Sequence, residues 1–123
     1  YLNIPLKSIV YYAGYSHERQ VCVYSSFIWL NNNFKGARII SLAIPEYRFL
    51  PILTDVNLVG EYSLSIDQLE KWYCRNASYD LIAIYTWEYR YPFLKNSEKF
   101  REIFNNGAVA IFKPDKMLCV SKQ

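Results

Sequence analysis

The chain has 123 residues and a mass of 14.6 kDa, which suits one domain with a single core and is too short for two. Hydrophobic residues make up 52% and charged residues 20%, and this composition excludes a disordered chain because enough apolar surface is present to offset the entropy lost on folding. The net charge of +3 is too small for the dense basic surface of a dedicated nucleic-acid binder, so we expect no nucleic-acid partner.

The first half of the chain alternates between extended and helical patterns. Residues 8–13 are rich in Ile, Val and Tyr and predict a strand, and residues 16–30 predict an amphipathic helix. Residues 37–44 are nearly all apolar, which predicts a strand covered on both faces. A short helix or turn is expected at residues 47–53, and a third strand at residues 56–62. In the first helix, the residues that recur at helical spacing are Val21, Cys22, Tyr24, Ser25, Ile28 and Trp29.

The second half opens with a strong helix start signal. Ser65 and Gln68 have the spacing of a capping box, and the helix is expected to end near Asn76. An apolar strand is predicted at residues 79–87. Residues 97–104 predict another helix, with Phe100, Ile103 and Phe104 inside and Asn105, Asn106 and Gly107 as its left-handed end. The last predicted strand covers residues 108–113.

This alternation predicts an α/β fold with a mostly parallel, twisted sheet, because parallel strands need long crossover connections. We expect a three-layer, Rossmann-like arrangement with about five strands and helices on both faces. Residues 8–114 are predicted to form the single domain, and residues 115–123 a polar tail. Apolar runs of about six residues are far shorter than the roughly 20 that cross a bilayer, so no membrane-spanning segment is expected within these residues.

Most catalytic and cofactor motifs do not occur in the sequence. The four glycines are scattered and form no phosphate-binding loop, so no nucleotide cofactor is expected. With a single histidine and three cysteines that lack close spacing, no metal site is expected. The odd cysteine count leaves at least one of Cys22, Cys74 and Cys119 as a free thiol, and the pairing stays open.

The topology itself supplies the site prediction. Ligands of open parallel sheets bind outside the carboxyl ends of the strands, and three loops qualify. Their aromatic and charged side chains suit sugar stacking or a phosphate group. The candidate ligand-binding residues are His17, Glu46, Tyr47, Arg48, Trp87, Glu88 and Arg90. Residues 87–91 are expected to be extended, with their aromatics on one side and both charges on the other.

Each of these residues also has a purely structural interpretation. His17 suits a helix cap, Tyr47 and Arg48 suit surface packing, and the aromatic run suits a strand edge against a partner. Asn76, Ala77 and Ser78 form a glycosylation sequon at a helix end, a match that also arises by chance.

The order of several segments resembles one known group of proteins. Residues 29–33 (WLNNN), 35–41 (KGARIIS) and 47–54 (YRFLPILT) are followed by residues 79–85 (YDLIAIY) and 104–113 (FNNGAVAIFK). This order is similar to the soluble C-terminal domains of multi-pass, archaeal-type membrane glycosyltransferase-like proteins. The likeness spans residues 15–113. It consists of segments that mark where helices and strands begin and end, and it contains no catalytic signature.

The resemblance implies a non-catalytic domain on the extracytoplasmic side of the cell membrane. In such proteins the lipid-phosphate-sugar chemistry belongs to acidic loops between membrane helices, so no catalytic residue transfers to this chain. Residues 1–7 would be the tether, and the partners would be the membrane-embedded part of the same polypeptide and a glycan or acceptor. Two alternatives stay open: a small nucleotide- or phosphosugar-binding enzyme that uses Arg48, Glu88 and Arg90, and a protein interaction module that dimerises through the aromatic segment.

Overall fold

A computed structural model describes residues 15–62, 64–76 and 79–115 together with residue 119. For residues 15–18, 61, 62 and 76 it describes the backbone alone. The strand predicted at residues 8–13, the tether at 1–7, most of the tail at 115–123 and the sequon residues Ala77 and Ser78 therefore lie outside the described part.

The described elements form an α/β fold. Helices are α1 (Tyr15–Asn33), a 3₁₀ helix (Pro45–Phe49), α2 (Leu50–Leu53), α3 (Ile66–Asn76) and α4 (Tyr91–Lys95). Strands are β1 (Arg38–Leu42), β2 (Asn57–Tyr62), β3 (Leu81–Tyr85), β4 (Phe100–Asn105) and β5 (Val109–Pro114). The predicted first helix, the strand after it, the short helix before β2 and the capping-box helix are confirmed.

The five strands make one mixed sheet in the order β2-β1-β3-β5-β4. β1 pairs in parallel with both β2 and β3, whereas β3 with β5 and β5 with β4 pair antiparallel. The prediction of a mostly parallel sheet therefore holds for the half of the sheet around β1 and is wrong for the half around β5.

The error comes from residues 97–104, where the predicted helix is wrong. The segment contains β4, and Gly107, at φ 95°, belongs to the tight turn of a β4–β5 hairpin. A β-bulge between Glu102 and Phe104 inserts an extra residue, so Phe100 and Phe104 pack against opposite core clusters although they are four positions apart. The bulge produces an apolar spacing that imitates a helix.

Two apolar clusters lie on the two faces of the sheet, because alternate residues of each strand join alternate clusters. Ile39, Leu81 and Ala83 belong to the cluster that contains α1 residues, and Ile40, Ile82 and Ile84 to the cluster that contains Leu69 of α3. The fully buried apolar residues of α1 are Val23, Phe27 and Leu30. Of the residues that recur at helical spacing, Tyr24 and Trp29 pack against the first of these clusters, whereas Val21 and Ile28 are exposed.

The cysteines form one disulfide, between Cys74 of α3 and Cys119, and Cys22 is a free thiol. The bridge joins residues 45 positions apart in sequence. It therefore connects the C-terminal segment to α3.

Among the described residues, no helix combines the length and the apolar character that a membrane span requires.

Candidate functional site

A crevice of about 480 Å³ opens at the sheet edge where the parallel strands β1 and β3 end. Two loops meet there because the carboxyl ends of neighbouring parallel strands lie at the same edge. The lining residues are Arg19, Ala43, Pro45, Glu46, Tyr85, Trp87, Glu88 and Tyr89. The crevice occupies the position that strand topology predicts for a ligand.

The loop after β1 is held in a sharp turn. The buried Ser41 hydroxyl donates to the Ile44 carbonyl oxygen (3.1 Å) and accepts from the Ile44 amide (3.2 Å). Ala43, between them, has φ 60°, a left-handed conformation that costs a non-glycine residue about 1 kcal/mol. The turn places Pro45 and Glu46, the first residues of the 3₁₀ helix, at the crevice.

The loop after β3 is anchored by the β4–β5 hairpin. The Thr86 amide donates to the carbonyl oxygen of Ala108 (2.9 Å), and the Thr86 hydroxyl donates to that of Gly107 (2.9 Å). The hairpin turn is in turn tied to α1, because the Asn106 side-chain amide donates to the Cys22 carbonyl oxygen (2.8 Å). These bonds fix the backbone immediately before Trp87.

A stacked aromatic pair forms one wall of the crevice. The rings of Tyr85 and Trp87 have centroids 4.5 Å apart and an angle of 15° between their planes. Tyr85 is almost buried, whereas 55% of Trp87 is exposed. One face of the indole is therefore covered by Tyr85, and much of the remaining Trp87 surface is open to solvent.

Two charged side chains approach the same pair. The Tyr85 hydroxyl donates to Glu46 Oε1 (3.0 Å), which orients the half-buried carboxylate. The guanidinium carbon of Arg19, from the second turn of α1, lies 5.7 Å from the centroid of the Tyr85 ring. The crevice thus brings a carboxylate, a guanidinium and an aromatic surface together.

Glu88 and Arg90 form an ion pair with each other. Both terminal contacts, Arg90 Nε to Glu88 Oε1 and Nη2 to Oε2, measure 2.8 Å, and Arg90 Nη1 donates to the Leu64 carbonyl oxygen (2.6 Å). Hydrogen bonds from Arg90 hold the pKa of the Glu88 carboxyl below its usual value, although partial burial acts in the opposite direction. Only 3% of Arg90 is exposed, so its guanidinium is committed to the fold rather than to a ligand.

The structure separates the other predicted residues. Tyr47 is fully buried, its hydroxyl shares a 2.6 Å hydrogen bond with Ser26, and burial raises the pKa of its phenol. Arg48 is exposed and its guanidinium lies over the Phe49 ring, outside the crevice. His17 lies in the first turn of α1, but its side chain is outside the described residues, as is that of Asn76.

Three of the predicted site residues, Glu46, Trp87 and Glu88, therefore meet in the crevice. Residues 87–91 are not extended as expected, since they form successive turns in which the Glu88 amide bonds to Tyr85 and the Tyr91 amide to Glu88. Sequence reasoning missed Arg19 and Tyr85 as lining residues. The predicted strand ran to residue 87, so Tyr85 could have been found only as the aromatic residue two positions before Trp87, on the same side of that strand.

A cavity of about 320 Å³ elsewhere is lined by Arg101, Lys113, Pro114 and Asp115, and a larger groove carries less charge. A groove of about 540 Å³ between α1 and α2 is lined by Tyr24, Phe27, Ile28, Asn31, Asn32, Leu53 and Thr54, none of them charged. Within the described ranges, no group of three or more His, Cys, Asp or Glu side chains is arranged to hold a metal ion.

Comparison with protein-family models, with curated proteins and with solved structures finds no significant match.

Proposed function

We propose that this chain is a non-catalytic, extracytoplasmic domain of a membrane glycosyltransferase-like protein and that it contacts a glycan or acceptor through the crevice. We also propose that the fold is a Rossmann-like, three-layer arrangement. The observation that carries it is the exposed Trp87, stacked on Tyr85 beside the oriented Glu46 carboxylate. Aromatic faces with a few fixed polar groups are typical of sites that bind ligands with both apolar and polar surfaces.

The rigid support of this site favours binding over a purely structural role for Trp87. The turn at Ser41, the bonds of Thr86 and the Glu88–Arg90 pair all fix the backbone around it. A preorganised surface spends less free energy on ordering when it binds. An exposed tryptophan with such support is placed to contact something outside the chain.

The Cys74–Cys119 disulfide supports the extracytoplasmic part of the proposal. Disulfides persist mainly in oxidising compartments outside the cytosol, with proteins of hyperthermophiles as the exception. Protease treatment of intact cells tests this part directly, with an antibody against the chain as readout. Degradation in intact cells is expected, and degradation only after lysis would contradict it.

The phosphosugar-enzyme alternative has less support. Of the three residues it needs, Arg90 is buried in an ion pair and Arg48 lies outside the crevice. Glu88 is engaged by Arg90 through both carboxylate oxygens. The basic groups that would hold a phosphate are thus occupied or elsewhere.

An array of immobilised oligosaccharides tests glycan binding by the chain. The wild type is expected to bind a subset of the array, and Trp87→Ala should lower the affinity about tenfold because the stacking surface is lost. Phe93→Ala is the matched control, since Phe93 is an aromatic residue of similar exposure, 66%, that does not line the crevice.

The control variant should bind as the wild type does, and both variants should keep the wild-type melting temperature within a few degrees. A wild type that binds no glycan would contradict the proposal. So would equal losses of binding in Trp87→Ala and Phe93→Ala, because the effect would then be general rather than local.

A further inference from the structure

We infer that the chain contains a second binding site, for a phosphate group, and that Arg101 of β4 and Lys113 of β5 bind this group. The register of β5 with β3 places Lys113 beside the first residues of β3, whereas the crevice opens where β3 ends. The site therefore lies at the opposite end of the sheet from the crevice. The inference does not depend on the proposed function.

The two basic residues face each other and share one concave surface. Arg101 and Lys113 are partners in the antiparallel register of β4 and β5, and both line the cavity of about 320 Å³. Directly opposite residues project from the same face of a sheet, with Cβ atoms about 5 Å apart, and like charges in this position destabilise the pairing. An anion bound between the two side chains would replace this repulsion by two attractions.

Neither basic side chain is committed to the fold. The side chains of Arg101 and Lys113 take part in none of the hydrogen bonds or ion pairs that the described residues form. By contrast, the guanidinium groups of Arg38 and Arg90 each hold a carboxylate. Arg101 is exposed and Lys113 is half-buried, so a ligand can reach both.

The acidic residues beside these two cations have other partners. Glu102 follows Arg101 in β4, but successive residues of a strand point to opposite faces, and its carboxylate pairs with the last residue of α4 at 3.3 Å. Both carboxylate oxygens of Asp80 accept from Arg38, at 3.0 and 3.2 Å. Burial raises the pKa of Asp80, but hydrogen bonds from Arg38 and, to a smaller extent, the charge of Lys113 hold it below its usual value.

The positive excess does not depend on side chains outside the described residues. Asp115 also lines the cavity and has an interaction of its own, and even its full charge leaves one positive charge in excess. Residues 1–14 and 116–123 contain lysines and no acidic residue. The acidic residues whose side chains are not described are Glu18, at the crevice end of α1, and Glu61 of β2, at the other edge of the sheet from β4. Neither is placed to cancel the two cations.

The two donors match a phosphate group better than a carboxylate. A guanidinium binds two oxygens of one anion through parallel hydrogen bonds, and a lysine ammonium acts as a compact point charge. A guanidinium alone occupies both oxygens of a carboxylate, whereas a phosphate monoester offers three oxygens and a charge of roughly −1.5 to −2 at pH 7. One phosphate group can therefore bind Arg101 and Lys113 together.

The test is a nuclear magnetic resonance titration of the chain with sodium phosphate and with sodium acetate at equal ionic strength. Phosphate should shift the backbone amide signals of Arg101 and Lys113 and should bind several-fold more tightly than acetate. Arg101→Gln should weaken phosphate binding about tenfold. The control is Arg75→Gln, an exposed arginine of α3 outside the cavity, which should bind phosphate as the wild type does. Equal affinities in the wild type and Arg101→Gln, or acetate binding as tight as phosphate binding, would overturn the inference.

Phosphate groups occur in soluble esters and in lipid headgroups, and two further probes distinguish these sources. One is glycerol 3-phosphate in the same titration, and the other is cosedimentation with phosphatidylcholine vesicles that contain phosphatidic acid, against vesicles of phosphatidylcholine alone. Binding of either probe that Arg101→Gln weakens and Arg75→Gln does not would support the site and identify its source. If neither probe binds, inorganic phosphate is an adventitious ion only and the inference is wrong.

Discussion

Arg90 is an almost fully buried charge with a single carboxylate partner. Its side chain is 4% exposed and that of Glu88 is 13% exposed, and Arg90 Nη1 also reaches the Leu64 carbonyl oxygen. A buried pair contributes little net stability, but loss of one partner leaves the other charge unpaired in a poorly solvated position. The pair therefore fixes the loop beneath Trp87 and Tyr89, with Tyr89 packed against the guanidinium at 5.2 Å.

Glu88→Ala should lower the free energy of unfolding by about 3 kcal/mol, because Arg90 would stay buried without its counter-charge. Urea denaturation at neutral pH measures the loss. Glu46→Ala, which leaves no buried cation behind, should cost less than about 1 kcal/mol. Similar losses in the two variants would show that the ion pair has no special role.

The same pair predicts a pH dependence. The pKa of Glu88 is lowered in the folded state, so its contribution is present above the unfolded pKa of about 4.3 and is lost as pH falls through the folded pKa. The stability difference between the wild type and Glu88→Gln should therefore shrink below about pH 4. A difference that stays constant down to pH 2 would contradict the lowered pKa.

The start of α3 is the element whose local signal the structure reproduces most directly. The backbone amide of Gln68 donates to the Ser65 hydroxyl oxygen (3.2 Å), and the backbone amide of Ser65 donates to Gln68 Oε1 (2.9 Å). Two otherwise unpaired donors of the first turn are satisfied by neighbours three positions apart. The helix start is thus determined within a four-residue stretch.

Ser65→Ala should destabilise the protein by about 1 kcal/mol through loss of this cap. Ser25→Ala is the control, since Ser25 is an exposed serine inside α1 where alanine is the better helix former. Thermal unfolding followed by circular dichroism should show a lower midpoint for Ser65→Ala alone. Equal midpoints for the two variants would mean that the capping box does not contribute.

Local signals of this kind predicted much of the fold. The capping box, the apolar run of β1 and the boundaries of α1 each depend on contacts within one element. β4 could not be predicted in the same way because its bulge hides the strand period and its pairing with β5 depends on the whole sheet. The Asn-Gly pair at Asn106 and Gly107 is a hairpin signal that favours the correct interpretation.

The candidate site was likewise predictable from the sequence only in part. Strand topology located the loops that contain Glu46 and Trp87, because the rule for parallel strands needs only the order of elements. It could not show that Arg90 would be buried or that Arg48 would lie on Phe49, since both depend on tertiary packing. The contribution of Arg19 likewise depends on how α1 crosses the sheet.

At the scale of the whole molecule, the crevice loops are held by both the parallel and the antiparallel strands of the mixed sheet. The parallel strands β1 and β3 deliver the crevice loops, and the antiparallel hairpin β4–β5 holds the second loop through Thr86. The Cys74–Cys119 bridge ties the C-terminal segment to α3. The crevice loops thus depend on contacts from both the parallel and the antiparallel half of the sheet.

The Cys74→Ser, Cys119→Ser double variant should lose about 4 kcal/mol of stability, the loop-closure value expected for a bridge across 45 positions. Urea denaturation with and without a reducing agent measures this effect. Reduction should lower the wild-type midpoint to that of the double variant and leave a Cys22→Ser chain with the wild-type response. A wild-type midpoint that is insensitive to reduction would contradict a stabilising role for the bridge.

The proposed function depends on the crevice, and the indole N–H signals of the three tryptophans distinguish binding there from binding elsewhere. Trp87 lines the crevice, whereas Trp29 packs against Phe104 and Trp72 against the cluster around α3. In a nuclear magnetic resonance titration with maltopentaose and mannopentaose, the Trp87 signal is predicted to shift while those of Trp29 and Trp72 stay in place. An unchanged Trp87 signal with both sugars, or a shift confined to Trp29 or Trp72, would contradict glycan binding at the crevice.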